Sequence, residues 1–376
     1  MEFFFDLKKA FDVCSRDVLL MKLDKIGIKG TVFNWFKDYL SNRSQYVDIN
    51  GCTSIDQFIL TCILQGSILG PILFLIYIND LHLVSNSLTL MFADDTLGLK
   101  SDSDLFKLIT DINRDINMMA LWFKANKLAV NKNKTKYIIF RARNKKLPEN
   151  LPDILYNDNE PNMPFSQEKV TILERFHNNH NDKKCRSYKL LGIFLDEHLT
   201  FDNHFNYLIA KLNKSLYCIR TAKNILNYTG LRSLYFALIH SHLNYCPIIL
   251  SCASMKNQNK LFLTQKKAIR ILTRSKYNAH TLPLFLNHNI LPLQKIIKHD
   301  KLKFMHSIAF GYAPESFTDV WKTNQQRNLD IELRNADLFT LPVPRCEMYK
   351  KIPIYSLPSE WNSLGDLRFQ PCPLRM

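Results

Sequence analysis

The sequence predicts an α+β fold, in which an antiparallel sheet flanked by helices is followed by a second region made of helices. Two patterns carry this prediction. Segments typical of strands and of helices alternate in residues 1–140, whereas apolar residues at helical spacing dominate residues 204–309. With 376 residues, of which 46% are hydrophobic, the chain is long enough for more than one core. The polar, Asn-rich stretch 141–187 is the predicted connection between the two regions.

The chain starts with a strand whose end carries a carboxylate. Residues 2–6 form an apolar run that closes on Asp6. Asn50 followed by Gly51 is the dipeptide most typical of a tight hairpin. Helical spacing predicts two helices, 17–27 and 31–40. The strands predicted on either side of the hairpin turn are 45–49 and 55–63.

Residues 64–77 predict a loop that opens into an apolar helix. Gly66 lets the backbone approach a ligand closely, and Gln65 offers an amide that can contact a base, a sugar or a template strand. A plain junction between loop and helix explains the same residues without any ligand.

Residues 88–99 predict a β-hairpin with two adjacent carboxylates, Asp94 and Asp95, at its tip. Carboxylates at the end of an apolar hairpin are costly unless a cation compensates them, and a divalent metal ion is the simplest candidate. An ordinary solvated turn is the alternative for this stretch taken alone. Apolar residues on both sides of the pair predict two short half-buried strands: Leu88, Leu90, Phe92, Leu97 and Leu99.

The first region continues with a helix predicted over 104–126 and short strands over 128–131 and 137–140. Lysines between these strands are typical of a solvated sheet edge, and here they are Lys132, Lys134 and Lys136.

Beyond the polar connection, residues 188–196 predict a tight strand pair bent at Gly192. Residues 311–376 are rich in proline and polar residues, with Trp361 as the predicted anchor of a tail whose role the sequence does not indicate. Helical spacing between these two parts covers four segments: 204–227, 231–241, 257–275 and 293–309.

Positive charge is concentrated in the helical region. The whole chain has a formal net charge of +16, and residues 201–310 hold 16 Lys and Arg against 2 Asp and Glu. Lys266, Arg270 and Arg274 recur at every fourth residue and predict a basic ridge along one helix. This imbalance is typical of contact with a phosphate backbone, and a merely solvated basic surface is the alternative.

Several classes of protein are disfavoured by composition. The nine cysteines never occur as Cys-x-x-Cys, so neither a disulfide framework nor a zinc site is indicated. Acidic residues stand at the N-terminus, where a secretory signal would carry basic ones. The longest apolar stretch, 68–78, is well below the ~20 residues of a membrane span. We therefore expect an intracellular protein, in the nucleus or the cytoplasm, with no membrane partner.

Three segments resemble the successive signature motifs of reverse transcriptases from non-LTR (LINE-type) retrotransposons, the jockey-like group in particular. They are residues 3–12, residues 65–81 and residues 92–95. Because the similarity continues into 235–245 and 265–272, it covers most of the chain. Matching positions between these segments are Trp122, Asn126, Leu128, Asn131, Lys134, Thr135, Leu191 and Gly192.

The resemblance implies a polymerase palm over residues 1–140 and a thumb-like helical region over 188–310 that begins with a primer-grip-like hairpin. It implies that Asp6 and Asp94 hold two Mg²⁺ (or Mn²⁺) ions, with Asp95 adding charge or a looser ligand. The implied reaction is transfer of a nucleotide from a dNTP onto a primer 3′-hydroxyl. The expected partners are therefore an RNA template, a DNA primer and dNTPs.

Further residues receive roles only through the resemblance. Phe11 matches an aromatic residue placed against the sugar 2′ edge, and Gln65 and Gly66 match positions that line the nucleotide and the template. Lys134 matches a lysine that can protonate pyrophosphate as a general acid. The residues expected on the primer end and on the duplex are Leu191, Gly192, Lys266, Arg270 and Arg274.

The chain also departs from the family pattern. The fingers that normally precede the first catalytic strand are missing, so we expect a fragment or a decaying copy. Family members usually carry Gly-Val-Pro before Gln65, where this chain has Cys62, Ile63 and Leu64, a change that loosens the loop. Two functions stay open, an RNA-directed DNA polymerase and a catalytically inactive nucleic-acid-binding remnant. An intron-encoded maturase relative fits less well, because the thumb region looks LINE-like.

Overall fold

The computed structural model describes residues 1–58, 63, 66–157, 171–176, 187–327, 335–344 and 349–365. The chain divides into two units. The first unit comprises residues 1–188 and 196–199, and the second comprises 189–195 and the residues from 200 onward.

The first unit mixes strands and helices largely in the predicted order. Its strands β1–β11 are Glu2–Phe5, Ser44–Gln45, Asp48–Ile49, Cys52–Thr53, Gln57–Phe58, Leu88–Phe92, Asp95–Leu99, Lys136–Ile138, Leu155–Tyr156, Thr171–Ile172 and Glu174–Phe176. Its helices α1–α5 are Ala10–Val13, Arg16–Lys25, Gly30–Leu40, Gly70–Ile78 and Leu105–Ala125. The predicted strand 128–131 is reduced to a single bridge between Leu7 and Val130.

Among the described residues, the main sheet has five strands in the order β11-β8-β1-β7-β6, with β1 in the middle. Strand β1 pairs antiparallel with β7 and with β8, and only β11 is parallel to its neighbour. Phe3, Phe4 and Phe5 of β1 are all buried, which explains why this strand reads as an unbroken apolar run. Phe3 and Phe5 face the core of the unit, where the ring of Phe5 meets that of Phe123 on α5.

The stretch 141–187 contributes to the sheet and to the core of the first unit, rather than acting only as a polar connection. Strand β11 extends the sheet beyond β8, and Ile154, Tyr156 and Leu173 are buried in the core. Short strands at a sheet edge depend on partners far away in sequence, so local polarity hides them.

The predicted hairpin at Asn50 and Gly51 is present. Both residues have positive φ, 53° and 86°, as a two-residue turn of the primed type requires, and Ile49 pairs with Cys52 across it. The returning strand pairs as far as Phe58, and residues 59–62 of the predicted strand lie outside the described residues.

In the part of the second unit that the structure describes, the regular elements are helices apart from one hairpin and a single bridge between Thr323 and Phe339. That hairpin joins β12 (Tyr188–Leu190, whose first residue belongs to the first unit) to β13 (Ile193–Leu195). Among the helices of the described residues, none combines the length and the apolar character needed to cross a lipid bilayer. The helices α6–α14 are Asp202–Ala222, Tyr228–Tyr235, Ser241–Leu243, Pro247–Cys252, Met255–Leu272, Thr281–Asn287, Leu293–Ala309, Glu315–Thr318 and Pro353–Asn362.

The described residues of the second unit form two apolar clusters. The larger one gathers the inner faces of α6, α7 and α10, and the smaller one holds Trp321, Phe339 and Trp361. Burial of Trp361 confirms that it anchors the C-terminal part of the chain. Helix α10 ends at Leu272, so the predicted helix 257–275 is too long at its C-terminus.

Candidate active site

Asp6 follows directly after the central strand and is held by the loop after α5. The N–H of Asn131 donates to the Asp6 carbonyl at 2.7 Å, and the Asp6 N–H donates to Thr135 Oγ1 at 3.5 Å. Thr135 itself is fully buried. The backbone of Asp6 is therefore fixed, while its side chain remains partly exposed.

Asp94 and Asp95 lie at the tip of the hairpin that joins β6 to β7, as the sequence predicts. Phe92 pairs with Asp95, which leaves Ala93 and Asp94 as the two turn residues, and Ala93 adopts a φ of 53°. Because β1 and β7 pair Phe5 with Thr96, one further step of the same register places Asp6 beside Asp95. All three predicted carboxylates thus lie at one end of the sheet.

The prediction that both strands of this hairpin are half-buried is wrong for β6. Leu88, Leu90 and Phe92 are 57%, 49% and 65% exposed. Strand β6 is the edge of the sheet, and these side chains share the face that carries Asp95 rather than the face packed on the helices. Alternation along a strand shows that two faces differ, but not which face meets the core.

The three carboxylates repel one another. Burial raises the pKa of Asp95, and the neighbouring charges of Asp94 and Asp6 raise it further. Across the described residues, no three His, Cys, Asp or Glu side chains already converge as ligands of one ion. The donor set itself fits Mg²⁺, because carboxylate oxygens are the protein ligands that this ion prefers.

Lys134 lies next to this group. Its Nζ is 3.9 Å from Asp6 Oδ2, and the side chain is 69% exposed. An ion pair this exposed contributes little stability. The ammonium is therefore available at the same end of the sheet as the carboxylates.

Tyr188 is a site residue that the sequence pattern missed. Its ring stacks on Phe4 with centroids 3.7 Å apart, on the sheet face opposite to Phe3 and Phe5. Burial raises the pKa of the Tyr188 phenol to about 12, and the charges of Asp95 and Asp6 act in the same direction. The phenol therefore keeps its proton near the carboxylates. Nothing local in the sequence marks this tyrosine, because its neighbours come from β1 and β7.

Asp115 on α5 anchors the base of the aspartate hairpin and was also missed. Its carboxylate is 2% exposed and accepts from Ser87 Oγ at 2.6 Å and from Lys100 Nζ at 3.0 Å. Ser87 immediately precedes β6 and Lys100 immediately follows β7, so one buried side chain joins both ends of the hairpin to α5. The signal that could have found it is an acidic residue at a core position of an amphipathic helix, between Ile112 and Ile116.

The structure describes two of the three residues predicted to line the nucleotide, Phe11 and Gly66. Phe11 is half-buried and stacks on Phe74 of α4 at 4.4 Å. Gly66 is exposed with a φ of 82°, and a Cβ there would meet nothing within 4 Å. The backbone conformation, rather than crowding, therefore favours glycine at this position. Gln65 lies outside the described residues.

The predicted basic ridge of the second unit is not continuous. Arg274 lies beyond the end of α10, with a φ of 54°, and its guanidinium donates to the carbonyls of Lys223 and Leu226 at 3.0 and 2.9 Å. Arg270 Nε donates to the Ala279 carbonyl at 3.0 Å. Both arginines thus bind main-chain oxygens of their own unit.

Lys266 and the predicted grip hairpin complete the second unit's candidates. The Lys266 ammonium stands over the ring of Phe262, 4.4 Å from its centroid. Leu191 and Gly192 form the turn of the β12–β13 hairpin with φ of 44° and 88°, and the Tyr245 hydroxyl donates to the Leu191 carbonyl. The bend predicted at Gly192 is confirmed.

An aspartate after the central strand, with an aspartate pair on the neighbouring hairpin, is the arrangement of a nucleic-acid polymerase palm. The sequence profile of one family, described as reverse transcriptase (RNA-dependent DNA polymerase), matches residues 2–195. The chain belongs to this family.

The curated relatives come from mobile elements. "Probable RNA-directed DNA polymerase from transposon BS" of Drosophila melanogaster is 24% identical over 322 residues, which cover 81% of this chain and 33% of the relative. RNA-directed DNA polymerase from mobile element jockey of Drosophila funebris is 23% identical over 294 residues, 74% of this chain and 29% of the relative. The chain thus spans about a third of the length of the curated relatives it matches. The jockey-like resemblance is confirmed.

Proposed function

We propose that this chain carries the palm of an RNA-directed DNA polymerase, which adds dNTPs to the 3′-hydroxyl of a DNA primer on an RNA template. The observation that supports this most is the placement of Asp6, Asp94 and Asp95 at one end of the main sheet. Negative charge that accumulates here, with the pKa of Asp95 raised by burial and by Asp94 and Asp6, is typical of a site that a bound cation compensates.

Asp6 and Asp94 would hold two Mg²⁺ (or Mn²⁺) ions, with Asp95 adding charge or a looser ligand. Such ions, when bound, lower the pKa of the primer hydroxyl and neutralise the triphosphate and the departing pyrophosphate. Asp6 contributes through its fixed backbone, which places the carboxylate at the end of β1. Rigid placement matters because phosphoryl transfer depends mainly on position and charge.

Lys134 would act on the leaving group. Its exposed ammonium at 3.9 Å from Asp6 can reach a pyrophosphate bound in front of the carboxylates and donate a proton to it. Phe11 would limit space at the sugar 2′ edge, with its ring held by Phe74. Gln65 and Gly66 would line the nucleotide and the template.

In the second unit, the Leu191 and Gly192 turn would grip the primer end, and the basic residues of the helices would follow the duplex. The charge imbalance of residues 201–310 supports the contact with phosphates. Of the three predicted cations on or near α10, Lys266 is the best placed for this role. Its ammonium stands over an aromatic ring, whereas Arg270 and Arg274 already donate to carbonyls of the chain.

The test is primer extension on poly(rA)/oligo(dT) with Mg²⁺ or Mn²⁺. We expect Asp94→Asn/Asp95→Asn to lower extension at least about 1,000-fold, equivalent to about 4 kcal/mol, because charge stabilisation by bound metal is lost. Asp24→Asn/Asp38→Asn is the matched control, since it removes two exposed charges from helix surfaces of the same unit. Extension that survives the first double substitution would refute the assignment. Absence of extension by the unaltered chain, with salt-sensitive duplex binding retained, would favour the inactive binding remnant instead.

A further inference from the structure

A cleft of about 640 Å³ lies in the second unit, among α10, α12 and α14. Its wall is rich in hydrogen-bond donors and positive charge. Three lysines line it, together with two serines of α14 and the serine that caps its C-terminus: Lys301, Lys350, Lys351, Ser356, Ser359 and Ser363. None of these residues belongs to the palm or to the predicted basic ridge.

Lys301 is the buried cation of this cleft. It is 8% exposed, and within the described residues no carboxylate lies within 4.0 Å of its ammonium. Glu360 is the acidic residue in the cleft wall, but its carboxylate pairs with Lys298 at 3.5 Å. Burial lowers the pKa of Lys301, while Glu360 partly opposes this effect. A buried lysine is costly unless an anion compensates it.

Ser356 provides a second, independent observation. It is 7% exposed, and its Oγ is buried without a hydrogen-bond partner among the described residues. Buried hydroxyls are normally paired, so an unpaired one in the wall of a cleft indicates a missing acceptor. Ser356 Oγ and Lys301 Nζ are both hydrogen-bond donors, so a ligand that carries several oxygens satisfies both of them.

We infer that this cleft binds a phosphate group, either on a free polyphosphate anion or on a nucleic-acid backbone. Lysine is a common phosphate ligand as a point charge, and serine hydroxyls donate to the remaining oxygens. Lys301 and Lys351 bring positive charge to the wall, and Glu360, the acidic residue of the wall, is already paired with Lys298. The inference is independent of the polymerase assignment, because it uses no residue of the palm.

The experiment measures binding of pyrophosphate to the intact chain by calorimetry in EDTA, which excludes metal-dependent binding at the palm. We expect Lys301→Met to weaken pyrophosphate binding about tenfold or more, a loss of about 1.4 kcal/mol. Lys303→Met is the matched control, since it removes the same charge from an exposed position of the same helix, and it should change the affinity less than about twofold. Equal losses of affinity in the two variants would overturn the inference. So would a failure of the unaltered chain to bind both pyrophosphate and a short RNA oligonucleotide.

A short RNA oligonucleotide is the second probe and identifies the source of the phosphate. RNA binding that weakens with Lys301→Met but not with Lys303→Met, without pyrophosphate binding, assigns the site to a nucleic-acid backbone. Pyrophosphate binding that weakens with Lys301→Met but not with Lys303→Met, without RNA binding, assigns the site to a free anion.

Ser356→Ala is a second variant that tests the site even if Lys301→Met fails to fold. Because the Ser356 hydroxyl has no partner among the described residues, its removal should leave the melting temperature of the chain without ligand unchanged or higher. The same substitution should weaken binding of the probe by about threefold to tenfold. A variant that binds as tightly as the unaltered chain would contradict the role of this hydroxyl and the inference with it.

Discussion

The sequence predicted the arrangement of charged residues better in the first unit than in the second. In the first unit, Asp6, Asp94 and Asp95 come together as expected, because strand register makes specific residues neighbours. In the second unit, Arg270 and Arg274 were predicted from helical spacing alone, and both bind main-chain carbonyls instead of forming one ridge. Helical spacing places residues on a common face, but it does not say what that face meets.

The two units also differ in how their buried charged side chains are compensated. The first unit buries Asp115 with two hydrogen-bond donors around it, so the charge is compensated within the unit. The second unit buries Lys301 without such compensation among the described residues. A compensated buried charge stabilises the fold around it, whereas an uncompensated one is costly, and this cost is the basis of the phosphate site that we infer for the cleft.

The largest expected effect tests the strand register of the first unit. In Gly98→Ala the new Cβ would stand 2.1 Å from Cζ of Phe3, whose ring fills the space above the glycine. We expect a loss of about 3 kcal/mol in the free energy of unfolding, measured by urea denaturation, because neither β1 nor β7 can move without disturbing the sheet.

Gly230→Ala is the matched control from the second unit. Gly230 lies inside α7, and a Cβ there meets its nearest neighbours at an ordinary 3.4 Å. Alanine should stabilise this helix by about 0.5 kcal/mol. Equal destabilisation by the two substitutions would contradict the special packing of Gly98 under Phe3.

The next effect concerns the support of the aspartate hairpin. Asp115→Asn removes the charge that holds Lys100 and Ser87, and it should lower the free energy of unfolding by about 2 kcal/mol. If the chain extends primers, the rate should fall about tenfold with little change in the KM for dNTP, because the hairpin loses position rather than a group that touches substrate. Asp111→Asn is the control, since its carboxylate is half-buried and 3.7 Å from Lys100, and its effect should be below about 1 kcal/mol. Equal effects of the two substitutions would show that the buried aspartate has no special role in holding the hairpin.

The parts predictable from sequence share one property, namely that their signal is local. The turn at Asn50 and Gly51, the aspartate hairpin and the long helix α5 each carry turn residues or periodicity within their own segment. Strand β11 and Tyr188 were not predictable in this way, because β11 is defined by pairing with β8, and Tyr188 by stacking on Phe4. The motif resemblance located the three aspartates and also Asn131 and Thr135, which hold the backbone of Asp6. It did not locate Asp115, which supports the aspartate hairpin, or Tyr188.

A smaller effect separates the cations of the second unit. Arg274→Gln should lower the free energy of unfolding by about 1 kcal/mol, because it removes two hydrogen bonds to the end of α6 and the turn after it. Lys266→Met should leave stability nearly unchanged and instead lower the slope of log affinity against log salt by about 0.9 for each phosphate that Lys266 neutralises. The measurements are urea denaturation and duplex binding between low and moderate salt. If Arg274→Gln changes the salt slope as much as Lys266→Met, both residues bind phosphates and the distinction between them fails.

The smallest effect is expected from Asp95→Asn in the chain without metal. The pKa of Asp95 is raised by burial, then by Asp94 and Asp6, so the folded state holds this proton more tightly than the unfolded state. The resulting penalty is present above the folded pKa and disappears as the pH falls below the ordinary pKa of 3.8, where both states are protonated. At pH 7 in EDTA the asparagine variant should therefore be more stable by about 0.5 kcal/mol, a small gain because solvent screens these partly exposed carboxylates. Added Mg²⁺ should reverse the order, since only the unaltered chain keeps all three carboxylates for the ion. A variant less stable than the unaltered chain in EDTA would mean that the three aspartates do not repel one another. The first unit would then no longer differ from the second in bringing its predicted charged residues together.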